Sequence, residues 1–136
     1  MIISATVIND CGKHSASVQT SGKEQQLAIS AKAEGQGSAV NGGELLFLAL
    51  ATCYCNDVYR EAKERGIDVT SVQVEVTGHF GGKGEPAKEI QYSAAVKANA
   101  TQEEVLDLMR HTDTVAEIHN TLRLGASVTL SECTVL

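Results

Sequence analysis

Cysteines are the residues of this chain with the most reactive side chains, and there are four of them, Cys11, Cys53, Cys55 and Cys133. No pair has the zinc-binding Cys-x-x-Cys spacing and no export signal precedes them, so we expect free thiols rather than disulfides. Cys53 and Cys55 are two residues apart on a predicted helix, where their side chains diverge by about 200°. They therefore cannot bridge without unwinding the helix.

The four histidines, His14, His79, His111 and His119, do not have the spacing of a metal site. None has a second histidine four residues away or a neighbouring carboxylate motif of the metal-binding kind. The chain also has no phosphate-binding loop and no dinucleotide fingerprint. The sequence therefore predicts no metal and no cofactor.

Cys53 is the best candidate for chemistry because of the helix that carries it. Asn41 and Glu44 form a capping box at the start of this helix, and Gly66 is a suitable residue to end it. Apolar residues between Leu45 and Cys55 fall on every side, which predicts a helix buried nearly all round. In so small a chain, a partner subunit is the simplest way to bury such a helix, and we expect a homodimer.

The composition limits the classes of partner. The chain has 136 residues, which predicts one domain over 1–136, with 11 Lys and Arg against 17 Asp and Glu, a net charge of -6, and no Trp. This balance disfavours nucleic acid and anionic membranes. The apolar stretch of the helix is also shorter than the ~20 residues that span a membrane. With no basic region followed by an apolar one at the start, we expect a cytoplasmic protein.

The first half of the chain predicts an antiparallel meander before the helix. Short runs rich in Val, Ile, Ser and Thr, separated by turn residues, occupy Ile2–Ile8, His14–Thr20 and Gln25–Ala31. After the helix, apolar residues alternate with polar ones at 72–76 and at 90–97, which predicts two half-buried strands joined by a Gly-rich loop.

A split helix and a last strand follow. Thr101–Glu104 and Thr114–Glu117 both have the pattern of a capping box, so we expect a helix that breaks near Thr112 and restarts. Its second part places Val115, Ile118 and Leu122 inward. Ala126–Val135 then predicts a final strand. The order of elements gives an α+β fold.

Two segments resemble the OsmC/Ohr family of osmotically inducible and organic hydroperoxide resistance proteins. One is the helix that begins Asn-x-x-Glu-Leu-Leu and reaches Cys53 twelve residues after Asn41, and the other is Asn120–Leu130. The resemblance implies an OsmC-like fold, with antiparallel sheets around a long buried central helix in an intertwined homodimer. It also implies cysteine peroxidase sites built from both subunits, with organic hydroperoxides as substrates.

The resemblance assigns the attacking position to Cys53. A gap-free count places Lys13 nearest to the arginine of the family, with His14 beside it. Gly43 stands where the family has its supporting carboxylate, and Glu44, one residue on, is better explained as a cap. Ala116-Glu117 replaces the resolving Cys-Pro, so resolution would need Cys11 or an external thiol reductant.

Other interpretations of these residues stay open. Cys53 lies too deep in its helix for the dipole of that helix, and Asp57 would raise the pKa of its thiol. A buried cysteine that serves only packing is therefore the alternative for Cys53, and a stronger one for Cys55. We expect a pocket for small apolar molecules at the subunit interface near Cys53. His119 either lines this pocket or is an ordinary surface or hydrogen-bonded histidine. A binding protein for small apolar molecules and a purely structural stress protein are the rival functions.

Overall fold

The computed structural model describes all 136 residues, which divide into two compact units, Met1–Leu45 and Leu46–Leu136. The elements are β1 (Ile3–Asp10), β2 (Lys13–Thr20), β3 (Lys23–Leu27), α1 (Gly42–Glu64), β4 (Asp68–His79), β5 (Lys88–Asn99), α2 (Gln102–Val115) and α3 (Glu117–Leu124). Both sheets are antiparallel, so the predicted α+β class and the order of the first seven elements are confirmed.

The first unit contains the predicted meander, with strand order β1-β2-β3. Two-residue turns, Cys11-Gly12 and Ser21-Gly22, join its strands, and all four turn residues have positive φ, between 46° and 86°. This geometry is that of type I′ turns, whose twist matches the twist of paired strands. The third strand ends at Leu27 rather than at the predicted Ala31.

Helix α1 begins and ends as the sequence predicts. The Glu44 amide donates to Asn41 Oδ1 at 2.9 Å, and the Asn41 amide donates to Glu44 Oε2 at 2.7 Å, which completes the capping box. Gly66, just beyond the last turn, has φ 67°, the left-handed conformation that favours glycine at this position.

The prediction that α1 is buried nearly all round is wrong for the single chain. One face is buried, through Leu50, Tyr54, Val58 and Ala62 at intervals of four residues. The opposite face is open, and Leu48 is 59% exposed. An apolar helix can be covered on all sides only if a further layer packs on it.

The second unit has its core between α1, the β4–β5 hairpin and α2. Tyr54, Val58, Ala62 and Leu108 form the buried cluster. The inward residues of the two strands pack against that cluster, and they are Val69, Val72, Val74, Tyr92, Ala94 and Val96. The alternation in the sequence therefore identified the inward face of both strands correctly.

The split helix breaks at Ala116, four residues later than predicted. Thr101 forms the expected capping box with Glu104. Thr114 does not cap the next helix, because its hydroxyl donates to the carbonyl of His111 and Ala116 occupies the N-cap without a side-chain hydrogen bond. Ile118 and Leu122 are 36% and 41% exposed rather than inward, and His119 is the buried residue of α3.

The predicted last strand, Ala126–Val135, is wrong: residues 125–136 belong to no helix or strand. Val128 and Leu130 are 96% and 82% exposed. A strand needs a neighbouring strand for its backbone hydrogen bonds, and this segment has none within the chain. Among the helices, none combines the length and the apolar character that crossing a membrane requires.

Candidate functional site

Cys53 is half-buried on α1, where α1 meets the start of α3. Its thiol donates to Oδ2 of Asp57, one helical turn further on, at 3.4 Å. The backbone amide of Ile118 also lies near its Sγ. This amide belongs to the first turn of α3, where N–H groups have no partner within the helix. Cys53 therefore contacts a base on one side and a partial positive charge on the other.

Arg60 connects the carboxylates around this thiol. One of its guanidinium nitrogens, Nη1, lies 2.7 Å from Asp57 and 3.1 Å from Glu117, and Nε donates to Glu61 at 2.8 Å. Asp57 is only 5% exposed, whereas the Glu117 side chain is 64% exposed. We call Cys53, Asp57, Arg60 and Glu117 the thiol cluster.

The electrostatics of the thiol cluster favour the protonated thiol. Burial raises the pKa of Cys53, and the hydrogen bond and negative charge of Asp57, with the charge of Glu117, raise it further. The Ile118 amide acts in the opposite direction and lowers the pKa of Cys53. Burial also raises the pKa of Asp57, so its carboxylate is a stronger base than an ordinary aspartate. The Asp57 effect predicted from the sequence is thus present, although burial contributes more.

Donor atoms of Cys53, Asp57 and Glu117 lie within 4.8 Å of one another, a spacing that a metal ion could bridge. Arg60 already pairs with both carboxylates and hydrogen-bonds to an oxygen of each. The donor set is therefore that of an ion-pair cluster, and we assign no metal to it.

His119 is 5% exposed and packs against two tyrosine rings, with ring centroids 4.8 Å from Tyr92 and 6.0 Å from Tyr54. Neither of its ring nitrogens has a hydrogen-bond partner. Burial lowers the pKa of His119, and the charge of Arg123 lowers it further. His119 is therefore a neutral, buried imidazole.

The other predicted site residues lie elsewhere. Cys11, Lys13 and His14 belong to the first unit, where Cys11 is in the β1–β2 turn and His14 Nδ1 lies 3.2 Å from the side-chain nitrogen of Asn9. Glu44 is part of the cap. Cys55, half-buried, lines a shallow groove with Thr52 and Val74, and all four cysteines, including the exposed Cys133, are free.

Sequence reasoning missed Arg60 and Glu117 as neighbours of Cys53. The positions of Asp57 and Arg60 on one helix, at four and seven residues from Cys53, were a local signal that could have placed both near the thiol. Glu117 is 57 residues from Arg60 in sequence, and its proximity depends on how α3 packs on α1.

Comparison with known proteins identifies the class of this chain. The sequence profile of the family described as OsmC-like protein matches residues 35–131. Because this match spans more than half of the 136 residues, the chain belongs to the OsmC-like protein family. The family predicted from the helix of Cys53 and the segment Asn120–Leu130 is thus confirmed. No curated protein matches the chain.

Solved structures agree on the fold. An OsmC-like protein from Mycoplasma pneumoniae has a TM-score of 0.61 at 20% identity, over 90% of this chain and 86% of that one. An OsmC-like hydroperoxide resistance protein from Jannaschia sp. has a TM-score of 0.55 at 16% identity, over 96% of this chain and 95% of that one. An organic hydroperoxide resistance protein from Elizabethkingia anophelis has a TM-score of 0.54 at 16% identity, over 90% of this chain and 89% of that one. At these identities the similarity shows an OsmC-like fold.

Proposed function

We propose that this protein reduces organic hydroperoxides in a thiol-dependent reaction, with Cys53 as the nucleophile. The observation that carries the proposal is the hydrogen bond from the Cys53 thiol to Asp57, beside the Ile118 amide and the Arg60 guanidinium. Membership of the OsmC-like family supports it. So do the Jannaschia and Elizabethkingia neighbours, which are named for hydroperoxide resistance.

The thiol cluster offers a route for the proton. A thiol must lose its proton to become a strong nucleophile, and Asp57 accepts that proton along the existing hydrogen bond. The sulfur then attacks the terminal oxygen of the hydroperoxide and the O–O bond breaks. The departing alkoxide takes the proton back from Asp57, so the products are an alcohol and the sulfenic acid of Cys53.

Reduction of the sulfenic acid returns Cys53 to its thiol. One thiol of an external dithiol attacks the sulfenic sulfur and releases water, and the second thiol breaks the resulting mixed disulfide. In this proposal Arg60 takes the part first expected of Lys13 or His14, because its charge lies against both carboxylates of the thiol cluster. Cys11 remains the alternative resolving thiol.

The test is consumption of cumene hydroperoxide in the presence of dithiothreitol. We expect the wild type to turn over and Cys53→Ser to lose that turnover. Cys55→Ser is the matched control, because Cys55 is also half-buried on α1 but lies outside the thiol cluster. Trapping of the sulfenic acid with dimedone, followed by mass spectrometry, locates the oxidised residue. Absent turnover in the wild type, or equal turnover in Cys53→Ser, would contradict the proposal.

A second candidate is the binding of a small apolar molecule without chemistry. The raised pKa of Cys53 favours it, because a thiol kept protonated reacts poorly. In that case the wild type would show no peroxide turnover and Cys53→Ser would leave its ligand affinity unchanged.

We also propose that the protein is a homodimer, in which a second copy covers the open face of α1. Leu48, Thr52, Asn56 and Tyr59 follow one another along this face at intervals of three or four residues, and all four are exposed. Leu48 and Tyr59 are the large apolar side chains of this row, 59% and 42% exposed, and large apolar side chains on a helix normally face another element of structure. The apolar residues of the segment 125–136 give the second copy further surface to cover.

A further inference from the structure

The second unit contains a cleft that the proposed peroxide chemistry does not use. It has a volume of about 320 Å³, near the lower end of the range of small-molecule pockets, and it lies between α1, the β4–β5 hairpin and α3. Leu50, Val76, Ile90 and Leu122 are its apolar lining residues. Cys53 does not line it, so the cleft is separate from the thiol cluster.

The charged residues of the cleft do not make it a site for ions. Arg123 lines it, but its guanidinium is paired with Asp113 at 2.6 Å and also donates to the backbone carbonyl of that residue at 2.9 Å. Glu89 lines it as well, 3.6 Å from His79. With one paired cation and one exposed carboxylate, the cleft has no excess charge that would favour an anion or a cation. A neutral and largely apolar ligand suits it best.

His119 is the polar group of the cleft that lacks a partner. Its ring lines the cleft, and both ring nitrogens are buried and make no hydrogen bond. An unsatisfied buried polar group costs about 1–3 kcal/mol, and a ligand that pairs with it recovers part of that cost. Pairing with a ligand requires a rotation of the ring about its Cβ–Cγ bond that turns a nitrogen to the cleft, and such terminal torsions of histidine are broad.

The chemistry of a neutral imidazole narrows the ligand class. One ring nitrogen donates and the other accepts, and the tautomer decides which. A hydroxyl group both donates and accepts, so it matches either nitrogen. We propose that this cleft binds small neutral alcohols and phenols, with the apolar body of the ligand against Leu50, Val76, Ile90 and Leu122 and the hydroxyl group on His119. This inference goes beyond the proposed thiol chemistry, and it holds whether or not the protein reduces peroxides.

The test compares two ligands of nearly equal shape, para-ethylphenol and para-ethyltoluene, in which a methyl group replaces the hydroxyl. Affinities are measured on the full-length protein by titration followed by NMR, without peroxide or reductant. We expect the phenol to bind at least tenfold more tightly, which corresponds to about 1.4 kcal/mol. We also expect the ¹⁵N resonances of the His119 imidazole to shift with the phenol and not with the hydrocarbon.

Variants connect this preference to the cleft. His119→Phe preserves the ring and removes its nitrogens, so the phenol should lose its advantage while the hydrocarbon binds as before. Leu122→Trp fills the cleft and should abolish binding of both compounds. Leu106→Trp is the matched control, because Leu106 is 38% exposed on α2 and does not line the cleft.

Three results would overturn the inference: no binding of the phenol, equal affinity for the two compounds, or binding that survives Leu122→Trp. A preference for the phenol that persists in His119→Phe would also overturn it. Thermal melting of each variant separates loss of binding from loss of the fold. Peroxide turnover plays no part in these measurements, so failure of the thiol chemistry and failure of this inference give different results.

Discussion

Asp57 has two opposite effects on Cys53. Its negative charge and hydrogen bond stabilise the thiol in its protonated form, and its raised pKa makes it a base that can remove the thiol proton during attack. The resting protein is then protected from adventitious oxidation, because thiolates and not thiols are oxidised quickly. In the proposed reaction, the substrate would trigger the proton transfer.

Replacing Asp57 by Asn should separate these two effects. Without the negative charge the pKa of Cys53 falls, so alkylation of Cys53 by iodoacetamide at neutral pH should become several-fold faster. Peroxide turnover should decrease, because the base is lost. Asp107→Asn is the control, since Asp107 is an exposed carboxylate on α2, paired with Arg65. Alkylation that slows in Asp57→Asn would contradict the direction assigned to this carboxylate.

His119 has a cost to the folded state that a variant can measure. In His119→Phe no buried nitrogen lacks a hydrogen bond, and the ring still packs against Tyr54 and Tyr92. The free energy of unfolding of this variant, without ligand, should exceed that of the wild type by about 1 kcal/mol. Urea denaturation followed by circular dichroism provides the comparison.

The difference in unfolding free energy between His119→Phe and the wild type should increase as the pH falls. The pKa of His119 in the folded protein is below the ordinary histidine value of 6.5, so below about pH 6.5 the unfolded chain binds a proton that the folded chain excludes. The wild type therefore loses stability as the pH falls from 6.5 toward the lower pKa of the folded state, and His119→Phe lacks this contribution. A difference between the two proteins that stays constant from pH 7.5 to 5.5 would show that His119 is not held neutral.

Helix capping shows how identical patterns acquire different structures. Thr101 and Thr114 each precede a glutamate by three residues, but only Thr101 forms the capping box. The helix that begins after Thr101 continues through Thr114, whose hydroxyl bonds to the carbonyl three residues earlier. We expect Thr101→Ala to cost about 1 kcal/mol of unfolding free energy and Thr114→Ala to cost less than about 0.5 kcal/mol. Equal losses in urea denaturation would mean that the two threonines are equivalent.

Thr101 and Thr114 also show which features of this fold the sequence can predict. Periodicity and local caps predicted the meander, α1, β4, β5 and the inward face of the hairpin, because those signals lie within a few residues of one another. The position of the helix break, at Ala116, was not predicted correctly, because it depends on how α3 packs. The sequence predicted only part of the thiol cluster. Asp57 was expected beside Cys53, but the contact between Arg60 and Glu117 was not, because it joins two segments that are distant in the sequence.

The last twelve residues also have a structure that their local sequence pattern did not predict. Val128 and Leu130 have the alternation of a strand, but a strand forms only beside a partner, and the single chain provides none. The alternation alone therefore did not predict the structure of this segment. The burial of α1 has the same dependence on a neighbour, because the single chain leaves Leu48 and Tyr59 exposed.

The proposed homodimer makes a prediction for the whole molecule that depends on α1. Leu48, 59% exposed in the single chain, is the first of the four exposed residues of the open face. Leu48→Glu would bury an unpaired carboxylate in the dimer, at a cost of several kcal/mol, while leaving the folded monomer intact. The dissociation constant should rise at least about tenfold, and size-exclusion chromatography with light scattering should show a monomer where the wild type is a dimer.

Leu106→Glu is the matched control, because Leu106 is an exposed leucine of α2 rather than of the α1 face. It should remain dimeric. If catalysis requires both subunits, Leu48→Glu should also lose peroxide turnover at concentrations where it is monomeric, even though its thiol cluster lies entirely within one chain. A wild type that is monomeric at high concentration would contradict the dimer, and turnover in monomeric Leu48→Glu would show that one chain carries the chemistry alone.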